Sequence, residues 1–162
     1  MYKLIAKLLA RPAIFKMLLA YAKKTPYNNI LRPDGTEVYM ERYWVFNPTI
    51  GESRKYQWIP LSIRLNKINK PDADRHLHDH PFNARTFILK GWYTELREGT
   101  PVEFVRCAGD TATLNFKEYH KITLVPNDGV YTLFVTGKYR GMWGFLVDGI
   151  KVNFRDYLKT RK

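Results

Sequence analysis

The chain has 162 residues, 45% hydrophobic and 24 of them aromatic (9 Phe, 11 Tyr, 4 Trp), the makeup of one folded domain rather than a disordered polypeptide. No window approaches the ~18 consecutive apolar residues of a membrane span, and a lone cysteine, Cys107, excludes an intrachain disulfide framework and fits a reducing compartment. The net charge of +12 resides mainly at the two ends, +6 over residues 1–35 and +4 over 151–162, so a basic groove across the near-neutral body is not indicated.

Residues 2–24 read as helix. Leu4, Ile5, Leu8, Leu9, Phe15, Leu18, Leu19 and Ala22 recur at three- and four-residue steps, with Lys3, Lys7 and Arg11 four apart. Pro12 is expected to kink this helix or begin a second one, because it lacks a donor and crowds the preceding turn. The apolar stripe is expected to pack on the domain or on a partner subunit, and the basic amphipathic pattern also suits an anionic membrane surface. A secretory signal is disfavoured, since Lys7, Arg11 and Lys16 interrupt any apolar run and no small-x-small site follows.

From Tyr27 the pattern changes to short strands. Pro33-Asp34-Gly35-Thr36 is a turn signal, and Glu37–Phe46 has the β-branched and aromatic bias of a strand. Asn47–Arg54 reads as a polar loop, Gln57–Ile68 as an imperfectly alternating strand, and Lys70–Arg75 as a charged turn. Further strands are expected at Thr86–Leu89, Trp92–Arg97, Val102–Cys107, Thr111–Leu114, His120–Val125, Val130–Thr136 and Met142–Val147. Turns at 99–101, Gly109-Asp110, Asn127-Asp128-Gly129 and Gly137-Lys138 separate them, and 153–159 closes the chain as a short helical or irregular tail. Strand-length runs at this regular spacing indicate an all-β sandwich or barrel. Cys107, in the apolar run VEFVRC, reads as a small core residue.

All four histidines fall on two segments. His76, His78 and His80 alternate within Arg75-His76-Leu77-His78-Asp79-His80-Pro81, and His120 stands alone. On an extended chain the three alternating rings share one side. Imidazole is the commonest transition-metal ligand among side chains, so two strands bringing such rings to one point would form an open metal site.

The histidine segments carry a resemblance to the cupin superfamily. The first cupin motif runs His-x-His, three or four residues, Glu, six residues, Gly; here His78-Asp79-His80 precedes Ala84 and Gly91 at those offsets. The second runs Gly, five residues, Pro-x-Gly, two residues, His; here Gly109, Asn115-Phe116-Lys117 and His120 keep the spacing. The chain looks closest to small single-domain cupins of bacteria and their phages, which share a His-Asp-His-Pro stretch and a Gly-x-Tyr-x-Glu strand, here Gly91-Trp92-Tyr93-Thr94-Glu95.

The resemblance implies an all-β cupin-type double-stranded β-helix, a jelly-roll barrel, with an N-terminal amphipathic helix. The organisation it suggests is a helical segment over 1–26, a hairpin or extension over 27–56 packing on the barrel, the barrel over 57–150, and a basic tail over 151–162. His78, His80 and His120 become the metal ligands. With Ala84 in place of the motif's glutamate, the site resembles the three-histidine site of thiol dioxygenases. The implied cofactor is one divalent metal ion, iron first, with zinc, nickel or manganese also suited. The implied activity is an iron-dependent oxygenase, a dioxygenase-like oxidoreductase acting on a small molecule; isomerase or hydrolase chemistry fits the same site. A non-catalytic ligand-binding cupin, or an interaction module docking through its basic termini, is the alternative.

Other residues carry weaker expectations. His76 is a neighbour of the site or a substitute ligand. Asp79 points away and orients a ring nitrogen in a neighbouring turn. Glu95 reaches the metal from the next strand if it faces inward. Arg85 is a candidate for a substrate carboxylate, although alternation from Ala84 turns it outward. Tyr93, Tyr131 and Trp143 are candidate pocket walls, with barrel filling as the plainer role. The resemblance implies a homodimer and a cytoplasmic location, in a bacterial cell or a phage-infected host. Nucleic acid and anionic membrane are less favoured partners for the basic termini.

Overall fold

The computed structural model describes residues 1–50 and 53–160. The chain opens with helices α1 (Tyr2–Leu9) and α2 (Pro12–Ala22). Pro12 occupies the first turn of α2, where its missing N–H leaves no bond unmade, so it starts a second helix rather than kinking one. Ala6, Phe15 and Ala22 are buried against Leu65, Phe87, Leu89 and Leu133, so both helices lie on the body of the domain.

The strands follow as β1 (Pro26–Leu31), β2 (Val38–Phe46), β3 (Thr49–Ile50), β4 (Ser53–Arg54), β5 (Ser62–Ile68), β6 (Phe82–Lys90), β7 (Trp92–Arg97), β8 (Phe104–Cys107), β9 (Thr111–Leu114), β10 (His120–Leu124), β11 (Val130–Tyr139), β12 (Gly144–Val147) and β13 (Ile150–Asn153). A last helix, α3 (Phe154–Lys159), is capped by the Asn153 side chain, which accepts the Arg155 N–H at 2.9 Å. The large sheet runs β1-β2-β5-β11-β6-β9, all antiparallel. Opposite it stand β10-β7-β8 and the β12-β13 hairpin. His78 bridges these two groups, exchanging backbone bonds of 2.9 Å with His120 on one side and pairing with Phe145 on the other. The all-β architecture with N-terminal helices is the one the sequence implies.

Side-chain alternation divides the large sheet into two faces. Tyr43, Val45, Ile63, Leu65, Phe87, Leu89, Tyr131, Leu133 and Val135 pack beneath the helices. Met40, Arg42, Arg64, Asn66, Ile68, Thr86, Thr132 and Phe134 face the interior. There the two sheets enclose a cavity of about 530 Å³.

Several boundaries differ from expectation. Gln57–Ile68 shortens to Ser62–Ile68, because a turn at 56–59 and Pro60 occupy the start. Gly137-Lys138 makes no turn: it lies inside β11, where the register against β6 slips between Thr136 and Tyr139. In the expected polar loop, Thr49–Ile50 pairs with Ser53–Arg54; residues 51 and 52, like 161 and 162 of the tail, lie outside the described residues. The basic tail also contributes β13, whose hairpin turns at Asp148 (φ 49°) and Gly149 (φ 78°), a two-residue turn with both φ positive. Cys107 is exposed, not core, because β8 is an edge strand with solvent on most of its surface. Gly91 is required where it stands: at φ +83°, an added Cβ would lie 2.8 Å from the Gly129 carbonyl oxygen.

Candidate metal centre

The His-x-His segment reaches the interior because it is paired on both flanks. The Asp79 N–H donates to the Gly144 carbonyl at 3.0 Å, and the Leu146 N–H donates to the Leu77 carbonyl at 2.8 Å. His78 and His80 thereby project towards His120 at the start of β10, with ring centroids 4.8–5.3 Å apart. One ligand nitrogen from each ring lies within 4.8 Å of the others.

The Nε2 atoms of His80 and His120 are 2.9 Å apart. Two imidazoles on adjacent corners of one ion, with bonds of about 2.1 Å, would place their nitrogens about 3 Å apart. That pair is at the spacing one ion requires, and three imidazole donors are a set that suits a transition-metal ion. His80 is stacked near Phe82 and Phe134, and His78 abuts Trp143 and Phe145, so aromatic rings wall the triad.

Burial keeps His78 and His80 neutral, the form that binds metal. His78 is held down to about 4 by burial, against the pull of Asp72 and with the push of His120. His80 lies well below its ordinary value through burial and the charges of His120, His78 and Arg64.

Glu95, 1% exposed, sits behind His120 rather than among the ligand nitrogens. Its Oε1 lies 3.0 Å from His120 Nδ1, which fixes the proton on that nitrogen and leaves Nε2 bare. Arg97 donates to the same oxygen at 3.1 Å and Arg106 to the other at 3.1 Å. Burial opposes the charge on Glu95, yet His120 and Arg97 together draw its carboxyl down to about 2. Asp72, from the charged turn, places Oδ2 3.8 Å from His78 Nδ1 while accepting the Ile122 N–H at 2.8 Å and the Tyr39 hydroxyl.

The remaining candidates separate. His76 is not part of the triad: the backbone bends at Arg75 and His76, and its Nδ1 meets the Tyr157 hydroxyl of α3 at 2.9 Å. Asp79 does point away, but it orients no ring nitrogen; fully buried, it accepts the Gly144 N–H at 2.7 Å and pairs with Lys151. Tyr93 and Trp143 line the cavity. Tyr131 does not, because its parity on β11 turns it to the helix face, where it meets Phe15 edge-on at 5.0 Å. Arg85 likewise leaves the cavity, lying 3.8 Å over the Tyr2 ring of α1. Sequence alone does not single out Asp72, which lies in the charged turn, or Arg64, Arg97 and Arg106, for which alternation on their strands is the available signal.

By sequence, the chain matches no family model and no curated protein. Its similarity is structural. A cupin-2 domain protein from Rhodospirillum rubrum superposes with a TM-score of 0.53 at 14% identity, covering 83% of this chain and 79% of that one. The chain has the cupin fold.

Among other cupin-fold neighbours, a DMSP lyase from Ruegeria pomeroyi gives a TM-score of 0.54 at 18% identity, covering 77% of this chain and 62% of that one. The Fe(II) form of HppE with an alternative substrate gives 0.51 at 16% identity, covering 72% and 57%. Within the cupin frame, His78, His80 and His120 stand together as the motif spacing implies. Ala84, at the motif's glutamate position, is buried against Leu114 and Phe134 on the inner side of β6. No carboxylate replaces it in the described triad.

Proposed function

We propose that this cupin is a mononuclear metalloprotein, an iron-dependent oxygenase acting on a small molecule held in the cavity beside His78, His80 and His120. The observation that carries the reading is the convergence of three imidazoles on one point of an aromatic-walled cavity. The presence of an Fe(II) enzyme among the structural neighbours favours iron. An iron ion would supply redox chemistry towards O₂ and Lewis acidity towards a bound substrate. The chain's own part is to keep His78 and His80 unprotonated, to hold His120 through Glu95, and to exclude water with Phe82, Phe134, Trp143 and Phe145.

Metal analysis of the purified chain tests this directly. Wild type is expected to retain about one equivalent of metal and the His78→Ala/His120→Ala variant essentially none, because two of three ligands are lost. Equal metal content in both would end the proposal. Fe(II)-loaded wild type should then consume O₂ with fractionated small-molecule extracts, and the Zn(II)-loaded form should not.

A second reading, docking through the basic end, draws support from exposed Leu4, Leu8 and Met17. They sit among exposed Lys3, Lys7, Arg11 and Lys16. Because Phe15 and Ala22 belong to the core, surface substitution serves better than deletion. On this reading wild type sediments with anionic vesicles at low salt and Lys3→Glu/Lys7→Glu does not. Salt-independent recovery of both in the supernatant would sink it, and a dimer in sedimentation velocity would assign the patch to a second subunit.

A further inference from the structure

Arg64 occupies an unusual place. It lies mid-strand on β5, facing the cavity, and its Nε is buried without a hydrogen-bond partner. Among the described residues no carboxylate forms an ion pair with it, and the Asn66 Oδ1 next along the same face is also unpartnered. Trp44 and Phe134 flank the guanidinium at 5.5 and 5.6 Å. Arg42, whose Nε donates to the Asn28 carbonyl at 2.7 Å, adds a second cation to the same wall.

A partly buried guanidinium without a counter-charge is costly, and its buried Nε finds no partner within the fold. Burial and the Arg42 charge lower Arg64 to about 10, so it remains cationic at neutral pH. The groups that pull the other way are the Tyr27 and Tyr139 phenols. Asp72 is taken up by Tyr39 and the Ile122 amide. Phe134 lies 5.6 Å from the Arg64 guanidinium and 5.7 Å from the His80 ring, which places the cation on the triad's side of the cavity. The same cavity carries apolar Ile68, Phe82, Leu114 and Phe134 beside the small polar Thr86 and Thr132.

We propose that Arg64, reinforced by Arg42, anchors the anionic group of a small carboxylic acid whose apolar body fills the cavity towards the three histidines. The guanidinium fork matches a carboxylate with two parallel hydrogen bonds, and the missing counter-charge arrives with the ligand. The inference rests on reading the cavity as a substrate pocket, and it names the substrate class that pocket selects. Arg85, the arginine nearer the motif, cannot serve because it faces the helices.

The test uses metal-stripped full-length protein, so that carboxylate binding to a metal does not contribute. Phenylacetate and its neutral analogue phenylacetamide are titrated by calorimetry. The acid is expected to bind at least about tenfold more tightly than the amide, the effect of one charge-assisted contact in a partly dry site. Arg64→Met should abolish the preference, Arg64→Lys should retain part of it, and both should bind metal as wild type does. His78→Ala/His120→Ala should keep the preference for the acid while losing metal, which separates this inference from the metal assignment. Equal affinity for acid and amide, no binding of the acid at millimolar concentration, or an undiminished preference in Arg64→Met would overturn it. The wild-type comparison decides the matter even where a variant fails to fold.

Discussion

Replacement of Glu95 by alanine is expected to destabilise the protein by about 3–5 kcal/mol, the range for removing one partner of a buried ionic cluster. Glu95 joins β7 to β10 and β8: one carboxylate, 1% exposed, receives Arg97, Arg106 and the His120 ring. Its loss leaves two guanidinium groups, about one-fifth exposed, and a buried imidazole without their acceptor. Glu95→Gln preserves the volume and separates stability from metal chemistry. The amide no longer compels His120 to carry its proton on Nδ1, so the fraction with a bare Nε2 falls. Zinc or nickel affinity is expected to drop by about 10- to 100-fold, the usual effect of removing an outer hydrogen-bond partner of a ligand histidine. Urea unfolding measures the first effect and metal titration the second. A glutamine variant that binds metal as tightly as wild type would show that Glu95 is structural only.

The second large effect concerns acid. Metal-free protein is expected to lose stability as pH falls from about 6.5 to about 4. In the unfolded chain a histidine protonates near 6.5, whereas folded His78 resists to about 4 and His80 further still. The unfolded state therefore takes up protons that the folded state refuses, and stability falls with pH across that window. His78 alone accounts for about 3 kcal/mol, since each unit of displacement is worth about 1.4 kcal/mol. Glu95 extends the loss downward. Its folded carboxyl titrates at about 2 against an ordinary 4.5, so its stabilisation is present above 4.5 and disappears as pH falls towards 2. A bound metal competes with protons for the same nitrogens, so loaded protein should resist acid to a lower pH than stripped protein. Urea midpoints measured from pH 7 to pH 4 check this. A flat profile for the stripped protein would show that the rings are not held neutral by burial.

The resemblance made the triad legible because the cupin motifs are spacings, and spacings survive replacement of the residues between. His78, His80 and His120 could be paired, and Ala84 recognised as a departure, without coordinates. The outward facing of Arg85 also followed from alternation. Tyr131 defeated the same logic, because nothing local says which face of β11 looks into the cavity. His76 defeated it differently, since a backbone bend broke the alternation that would have kept it with its neighbours. Asp79 was read correctly as pointing away, but its partners, Gly144 and Lys151, lie 65 and 72 residues on. β13 was legible in principle from Asp148-Gly149 and was passed over inside a tail read as basic.

By itself the sequence determined an aromatic-rich β domain, an N-terminal helical segment interrupted at Pro12, charge gathered at the ends, and three histidines at cupin spacing. These depend on local alternation, turn chemistry and chain distance, which a single strand carries within itself. Only the tertiary structure decided what surrounds those histidines. It placed Glu95 behind His120, Asp72 beside His78, Arg64 in the same cavity as the triad, and Tyr131 and Arg85 outside that cavity. Each of those outcomes depends on which strands become neighbours and which face closes on the other sheet. That is settled by burying both faces of the large sheet at once, one beneath the helices and one around the cavity.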